Sequence, residues 1–458
     1  MFRLAAVATL SIGVALPSWA ESLADSMVAA YRHSALIDQN RAVLRAADED
    51  VAAAISGIRP VLEWVGNYSA QHVQDGGTTH TMSLALQAEM VLYDWGRTAI
   101  AVDAAKEQVL ATRQALVGVE QDVLLSSVQA FFDVRQGIEQ VALQQNSVRV
   151  IGQERQAALD RFEVGEITVT DVAQADARLA ATRATLAAAE GSLEVAREEY
   201  LRVTGAKPGT LDAPPPLPQM PANVDAARAV AQKNHPAILQ AQRSVAAAEL
   251  GVAGAVAERN PSLSATGSVG RQRSDASSPT GDQQLNNYAS LGLQMRQTLY
   301  SGGRLPAAHR KSMALRDEAR SVMLNTARQV NQQVGTSWAN IEVARAQITA
   351  IDQQISAAQQ AFDGVSEEAQ LGARTTLDVL DAEQSLLQAR ADKITADANL
   401  QLAHYQLLAA MGLLTVEHLK LGIPTYDPSQ YYNAVRDAPY TSRQGESLDR
   451  VLRAIGRN

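Results

Sequence analysis

The sequence predicts a mainly α-helical protein with a small membrane β-sheet, internally duplicated and able to bury its parts only against copies of itself. Three features point there: a repeat spanning nearly the whole chain, paired segments that alternate with period two, and proline-free runs far longer than a domain is wide.

The N-terminus reads as a secretory signal over residues 1–20. Arg3 supplies a positive start, Leu4 to Leu16 is apolar, and Pro17-Ser18-Trp19-Ala20 offers small residues at a cleavage site. Beyond Ala20 no stretch is long and apolar enough to cross a bilayer as a helix. The richest, Val245 to Val256, is short and interrupted by Glu249. The chain has no cysteine, which excludes disulfides, thiol catalysis, Cys-based zinc sites and a lipidated N-terminal cysteine. The expectation is a protein held in the outer membrane by its own strands. A net charge of −9 argues against nucleic acid as a partner, since there is no basic excess to neutralise phosphates. Aromatic residues make up only 4%, and small apolar residues lie within long polar runs, a composition that suits slender helices packed side by side.

The repeat sets the architecture. Leu92-Tyr93-Asp94-Trp95-Gly96-Arg97 returns 207 residues later as Leu299-Tyr300-Ser301-Gly302-Gly303-Arg304. Val164-Gly165, Thr168, Asp171 and Gly205 return at the same offset as Leu371-Gly372, Thr375, Asp378 and Gly412. Ahead of the tyrosine, Pro60 pairs with Pro261, so the second copy is longer there, at a polar tip between Ser274 and Asn287 where a surface loop tolerates insertion. The expected organisation is a first repeat over 21–206, a proline-rich linker over 207–221, a second repeat over 222–412, and an equatorial segment and tail over 413–458.

Each repeat carries two strands around a polar tip. Ala289, Leu291, Leu293, Met295 and Leu299 share one face, with Ser290, Gly292, Gln294, Arg296 and Thr298 opposite. Leu84, Leu86, Ala88, Met90 and Leu92 match them in the first copy. Alternation over roughly ten residues is a bilayer crossing at barrel tilt. The incoming strands, Pro60 to His72 and Pro261 to Arg273, alternate less cleanly, and a half-buried soluble hairpin is the alternative. Four strands leave two open edges, which hydrocarbon does not tolerate, so several chains must pool strands into one barrel.

After Arg97 the chain runs to about Glu163 without proline. After Arg304 it runs to about Gln370 with only Pro306, at a tolerated first-turn position. Each run predicts a helix of roughly 100 Å, interrupted at Gly118, Gly137 and Gly152, where bends or breaks can form. Short glycine-containing tips then lead into return helices, Asp171 to Val203 and Asp378 to Met411.

These residues resemble the TolC family of outer-membrane efflux proteins. The carriers are the duplicated Leu-Tyr-x-x-Gly-Arg, the tips Val164-Gly165 and Leu371-Gly372, the run Thr375-Thr376-Leu377-Asp378-Val379-Leu380-Asp381, and the late Tyr426-Asp427-Pro428 with Tyr431-Tyr432. The resemblance implies a TolC-like homotrimer in which a 12-stranded β-barrel, four strands per chain, continues into a 12-helix periplasmic α-barrel. It implies a passive export duct of a tripartite efflux or type I secretion system. The tip would be opened by a periplasmic adaptor (membrane fusion) protein touching Val164, Gly165, Leu371 and Gly372, and by an inner-membrane ABC or proton-driven pump.

No catalytic constellation, cofactor motif or phosphate loop stands out. His33, His235 and His309 are not at metal-ligand spacing, so neither metal nor cofactor is expected. Asp378 and Asp381 lie three apart and share a helix face. Facing a pore, three copies would stack six carboxylates in two rings, favouring cations and raising one another's pKa values. The family's matching acids form such a constriction. Asp378 also suits capping behind Thr375, as Asp171 does behind Thr168. Arg374 and Thr170 match positions that link neighbouring tips, so Arg374 is expected to bond Thr170 or Asp171. The family's gate tyrosine is replaced by Ala369. The alternative function is a trimeric surface-anchored coiled-coil adhesin, which would need neither equal hairpins nor acids at their turns.

Overall fold

The computed structural model describes residues 21–74, 77–275, 283–424 and 426–435. The expected signal segment, residues 276–282 of the expected polar tip, and the tail beyond 435 lie outside the described residues.

One series of elements occurs twice. The first copy runs α1 (Leu23–His33), α2 (Ala35–Ser56), β1 (Val61–Val73), β2 (Gly77–Tyr93), α3 (Arg97–Glu163) and α4 (Val169–Thr204). The second runs α5 (Val224–Asn234), α6 (Pro236–Ala257), β3 (Ser262–Asp275), β4 (Gln283–Arg296), α7 (Arg304–Gln370) and α8 (Thr376–Ala410), and α9 (Pro428–Val435) follows. Corresponding helices match in length: 11 residues for α1 and α5, 22 for α2 and α6, and 67 for α3 and α7. Insertions have therefore been confined to the strand tips.

Two expectations are corrected. β4 ends at Arg296, so Leu299, expected on its apolar face, lies beyond the strand and is 90% exposed. The glycines of α3 do not break it. A side chain at Gly137 would meet Leu193 of α4 at 3.0 Å, so that glycine permits close helix packing.

The repeated Leu-Tyr-x-x-Gly-Arg is the turn from strand to long helix. In the second copy Gly302 and Gly303 both take positive φ, 60° and 88°. In the first, Gly96 does so at 85° beside Trp95 at 51°, a left-handed residue with a bulky side chain that costs about 1 kcal/mol. Asp94 offsets this by accepting from the amides of Gly96 (3.1 Å) and Thr98 (2.7 Å), and Tyr93 packs edge-on against Trp95.

The chain divides into two compact units, each drawing on both repeats. The first comprises, of the described residues, 21–34, 120–227 and 334–423. Its anchor is Tyr200 of α4, fully buried, which donates to Glu21 (2.6 Å) and shares a hydrogen bond with Ser26 (2.7 Å), tying α1 to α4. The linker after α4 is held here as well. Glu21 bridges to Leu211, and Arg135 donates to the Asp212 carbonyl at 2.7 Å.

The second unit comprises the described residues within 35–119, 228–333 and 424–435. Leu44 and Val51 of α2 pack on Val109 of α3, joined by Tyr426 and by Tyr432 of α9. The guanidinium of Arg41 lies over the Tyr426 ring at 5.2 Å and that of Arg113 over Tyr432 at 5.7 Å, an arrangement that pairs cations with ring faces. The late tyrosines thus close a core begun near the N-terminus.

This unit holds the sheet, antiparallel in the order β1-β2-β3-β4. The β2–β3 ladder joins the two copies, leaving β1 and β4 as edges. Its register sorts the side chains. Leu62, Ala88, Gly267 and Leu291 form one row, and Trp64, Leu86, Val269 and Ala289 the next, all on one face. The opposite face carries Glu63, Gln87, Ser268 and Ser290. The apolar face is bare: Leu291 is 89% exposed and Trp64 72%. Water would not leave such a face uncovered; hydrocarbon suits it.

Asp48 of α2 is fully buried, and neither carboxylate oxygen has a hydrogen-bond partner among the described residues. Burial pushes its carboxyl up to about 6, against the pull of Arg113. The native acid holds its proton to higher pH than the unfolded one, whose ordinary value is 3.8, so it favours folding most below about 4. That contribution is lost as pH rises through about 6 and is constant above. Thermal unfolding should therefore show a stability decline between about pH 4 and 6 that Asp48→Asn flattens. An unchanged slope in the variant would assign the decline to other groups.

Candidate gate at the helical tips

Both long helical hairpins turn by the same device. At the α3–α4 tip Gly165 takes φ 81°, its amide bonds the Phe162 carbonyl (3.0 Å), and the Glu166 amide bonds that of Arg161 (2.9 Å). At the α7–α8 tip Gly372 takes φ 78°, with Gly372 to Ala369 at 3.1 Å and Ala373 to Glu368 at 2.9 Å. This is the Schellman closure, which requires a left-handed residue that only glycine supplies without strain. Val164 (73% exposed) and Leu371 (85% exposed) stand just before each glycine, leaving an apolar side chain bare at each tip.

The return helices start on matching capping boxes. The Asp171 carboxylate accepts from the Thr168 amide (2.9 Å) and hydroxyl (2.8 Å). Asp378 does the same with Thr375 at 2.9 and 2.8 Å, and the Thr375 hydroxyl accepts from the Asp378 amide at 3.2 Å. These bonds from Thr375 hold the Asp378 carboxyl below the usual range, and those from Thr168 do the same for Asp171. Within one chain, capping holds both carboxyls low; the crowding expected of a three-copy ring would act between chains.

Two site residues have partners within their own chain. Asp381, expected in the pore ring, forms an ion pair at 2.6 Å with Arg178 of α4. Arg374, expected to bond Thr170 or Asp171, here donates to Glu368 at 2.8 Å across its own turn. Glu368 is the nearer acid, and Asp171 is already engaged by Thr168. Thr170 is exposed, and Ala369 is buried at the position where the family has its tyrosine.

Behind Asp381 lies a charged layer that the sequence did not reveal. Glu383 of α8 is 7% exposed and accepts from Ser147 of α3 at 3.1 Å; its other oxygen has no partner among the described residues. Burial raises its carboxyl, partly opposed by Ser147 and Arg178. Arg155 of α3 pairs with Asp176 of α4. A single signal was available: Arg178 sits two turns after Asp171, hence on the same side of α4 as the tip acid. Ile151, Ala158, Ala175, Leu179 and Leu380 form the apolar packing beneath this layer.

Comparison with known proteins places this geometry. The family model described as outer membrane efflux protein matches residues 28–206 and 227–413, one segment for each repeat. The chain belongs to the outer membrane efflux protein family. It is 34% identical to the outer membrane efflux protein BepC of Brucella suis over 440 residues, 95% of each chain. It is 24% identical to the outer membrane protein TolC of Vibrio cholerae, covering 91% of this chain and 95% of that one. Its fold matches the crystal structure of the outer membrane protein VceC of Vibrio cholerae with a TM-score of 0.72 at 20% identity, over 85% of this chain and 96% of the other. The fold is therefore the mainly α TolC-like one with a four-stranded sheet per chain. As a member of this efflux family the protein resides in the outer membrane, with its helical part in the periplasm. Nothing in the family or the structure supports the adhesin alternative.

The Arg178–Asp381 pair is partly exposed, 28% and 61%, so its coupling should be about 0.2–1 kcal/mol. A double-mutant cycle of Arg178→Gln and Asp381→Asn, read by thermal unfolding, should return a favourable coupling of that size. Additive effects would show that the two side chains do not meet in the assembled protein.

Proposed function

We propose that three copies of this efflux-family chain pool their sheets into one closed barrel of twelve strands and their long helices into a periplasmic duct, closed at the tips by side chains of α4, α7 and α8. The observation that carries this is the sheet, with one bare apolar face and two edges, β1 and β4, that lack partners among the described residues. In hydrocarbon each unpaired backbone group costs several kcal/mol, roughly what a closed ladder between chains recovers. Relatives named for efflux, and for protease secretion in Dickeya chrysanthemi, support a passive conduit serving a pump. No catalysis is assigned to the chain. Energy comes from an inner-membrane ABC or proton-driven pump, coupled through a periplasmic adaptor that grips Val164, Gly165, Leu371 and Gly372.

At the gate, Asp378 supplies one ring of carboxylates kept ionised by capping. Asp381 supplies a second ring whose charge is cancelled in the resting state by Arg178. Between chains, Arg374 leaves Glu368 for Thr170 or Asp171 of the neighbouring tip and latches the closed state. Opening breaks both contacts, uncovering the Asp381 ring as the pore widens.

Planar-bilayer recording tests this. The wild type should show discrete, cation-preferring conductance. Asp378→Asn should weaken that preference and Arg178→Gln should strengthen it by freeing Asp381. If both variants keep the wild-type selectivity, these residues do not line the constriction.

The absence of native cysteine permits a second test of the latch. A Thr170→Cys, Arg374→Cys double variant should form interchain disulfides on oxidation, close the channel, and recover with reductant. Crosslinks confined to a single chain would rule out the latch between neighbours.

A further inference from the structure

The apolar face of the sheet ends in arginine. Counting register rows from the helix side toward the tips, Leu263 pairs with Met295, Ala265 with Leu293, Gly267 with Leu291 and Val269 with Ala289. The next row holds Leu84, Arg271 and Asn287, and the one after it Tyr68, Met82, Arg273 and Leu285. Side chains in these rows project from the same face as Trp64 and Leu291, so both arginines stand on the lipid side.

Their height is set by strand geometry. At about 3.3 Å per residue and a tilt near 40°, Arg271 lies ~20 Å and Arg273 ~25 Å above Leu263. A barrel's apolar band is about 25 Å tall, so the pair sits at its upper rim. The helices are periplasmic, which makes the tip end the outer leaflet. A guanidinium within the band would cost about 2–4 kcal/mol at the midplane and little at the interface, and that confines these two to headgroup level.

The surroundings favour an anion. Both arginines are exposed and neither arginine row contains a carboxylate; the next one on this face, Asp275, stands one row nearer the tip. The Arg271 Nε donates to Asn287 at 2.9 Å, which fixes the guanidinium plane. On the adjoining strands Tyr68 and His80 stack with their polar atoms 2.9 Å apart, and His80 lies one row nearer the tip, in register with Asp275. The opposite face at this height carries Gln272, Ser83 and Asn286, with no cation, so the positive charge belongs to the lipid side alone.

We infer that Arg271 and Arg273, flanked by the Tyr68–His80 stack, form a lipid-facing site for the phosphate groups of a phosphorylated glycolipid in the outer leaflet, one site per chain. Two guanidiniums six to seven ångströms apart along a strand, at about 3.3 Å per residue, match phosphomonoesters better than zwitterionic headgroups, because paired N–H forks need oxygens without a neighbouring cation.

The inference rests on the barrel reading, and the test separates the two. The assembled full-length protein is reconstituted into phosphatidylcholine vesicles containing diphosphoryl lipid A, dephosphorylated lipid A, or diphosphoryl lipid A with added inorganic phosphate. Flotation reports insertion, and protein-associated lipid is then quantified after extraction into detergent. Wild type should retain diphosphoryl lipid A at least tenfold more than the dephosphorylated form. Arg271→Gln with Arg273→Gln should insert normally and retain the two alike, and a Lys pair should restore part of the difference. Equal retention by the wild type, an unchanged ratio in the Gln pair, or displacement by inorganic phosphate would overturn the site. Failure of the wild type to float would overturn the barrel instead. A Gln pair that does not assemble leaves the wild-type comparison of the two lipids to decide.

Discussion

The whole design depends on where the backbone hydrogen bonds of four strands go. Inside the chain β1–β2, β2–β3 and β3–β4 satisfy one another, and the outer sides of β1 and β4 are left over. Water would satisfy them at no cost, but the apolar face demands a solvent that cannot. The proposed barrel resolves that conflict by pairing β4 of one copy with β1 of the next, which makes assembly a condition of burying the sheet.

Much of this was legible in the sequence because the relevant signals are local. Alternation along Leu84 to Met90 and Ala289 to Met295 states which face meets lipid. The tip glycines 165 and 372 stand where the backbone must turn left-handed, and their duplication in register marks them as structural. The proline-free runs gave α3 and α7 almost to the residue. Where the reading failed, the missing information was tertiary. Nothing in the spacing of Asp378 and Asp381 says that one is committed to a cap and the other to an arginine two hundred residues earlier. That depends on how α4 meets α8, and in helices rich in alanine many registers look alike. Leu299 was misplaced because the alternation runs past Arg296 into the turn, and alternation alone does not mark where pairing stops. Asp48 escaped notice for a related reason, since a lone acid in a polar helix gives no sign of being buried by Tyr426 and Tyr432 from the far end of the chain.

The tips show how one local motif serves two ends. A Schellman turn and a capping box together consume nearly every polar backbone group at a hairpin, and they leave apolar Val164 and Leu371 with nothing to do inside the chain. The charged layer just behind differs between repeats. Copy two has Asp381 and buried Glu383, and copy one supplies Arg178. The Arg178–Asp381 pair joins the two hairpins through positions whose counterparts in the other copy, Ser385 and Gln174, carry no charge.

The height of the apolar face carries one last implication. From the Leu263 row to the arginine rim it measures ~20–25 Å at barrel tilt, short of the ~32 Å hydrocarbon of a thick, sterol-rich membrane. A thicker bilayer would have to thin around the barrel or drag the guanidiniums into oil, and either penalty grows with each ångström of mismatch. In the proposed barrel, the spacing between Leu263 and Arg271 therefore suits a thin outer membrane better than a thick one.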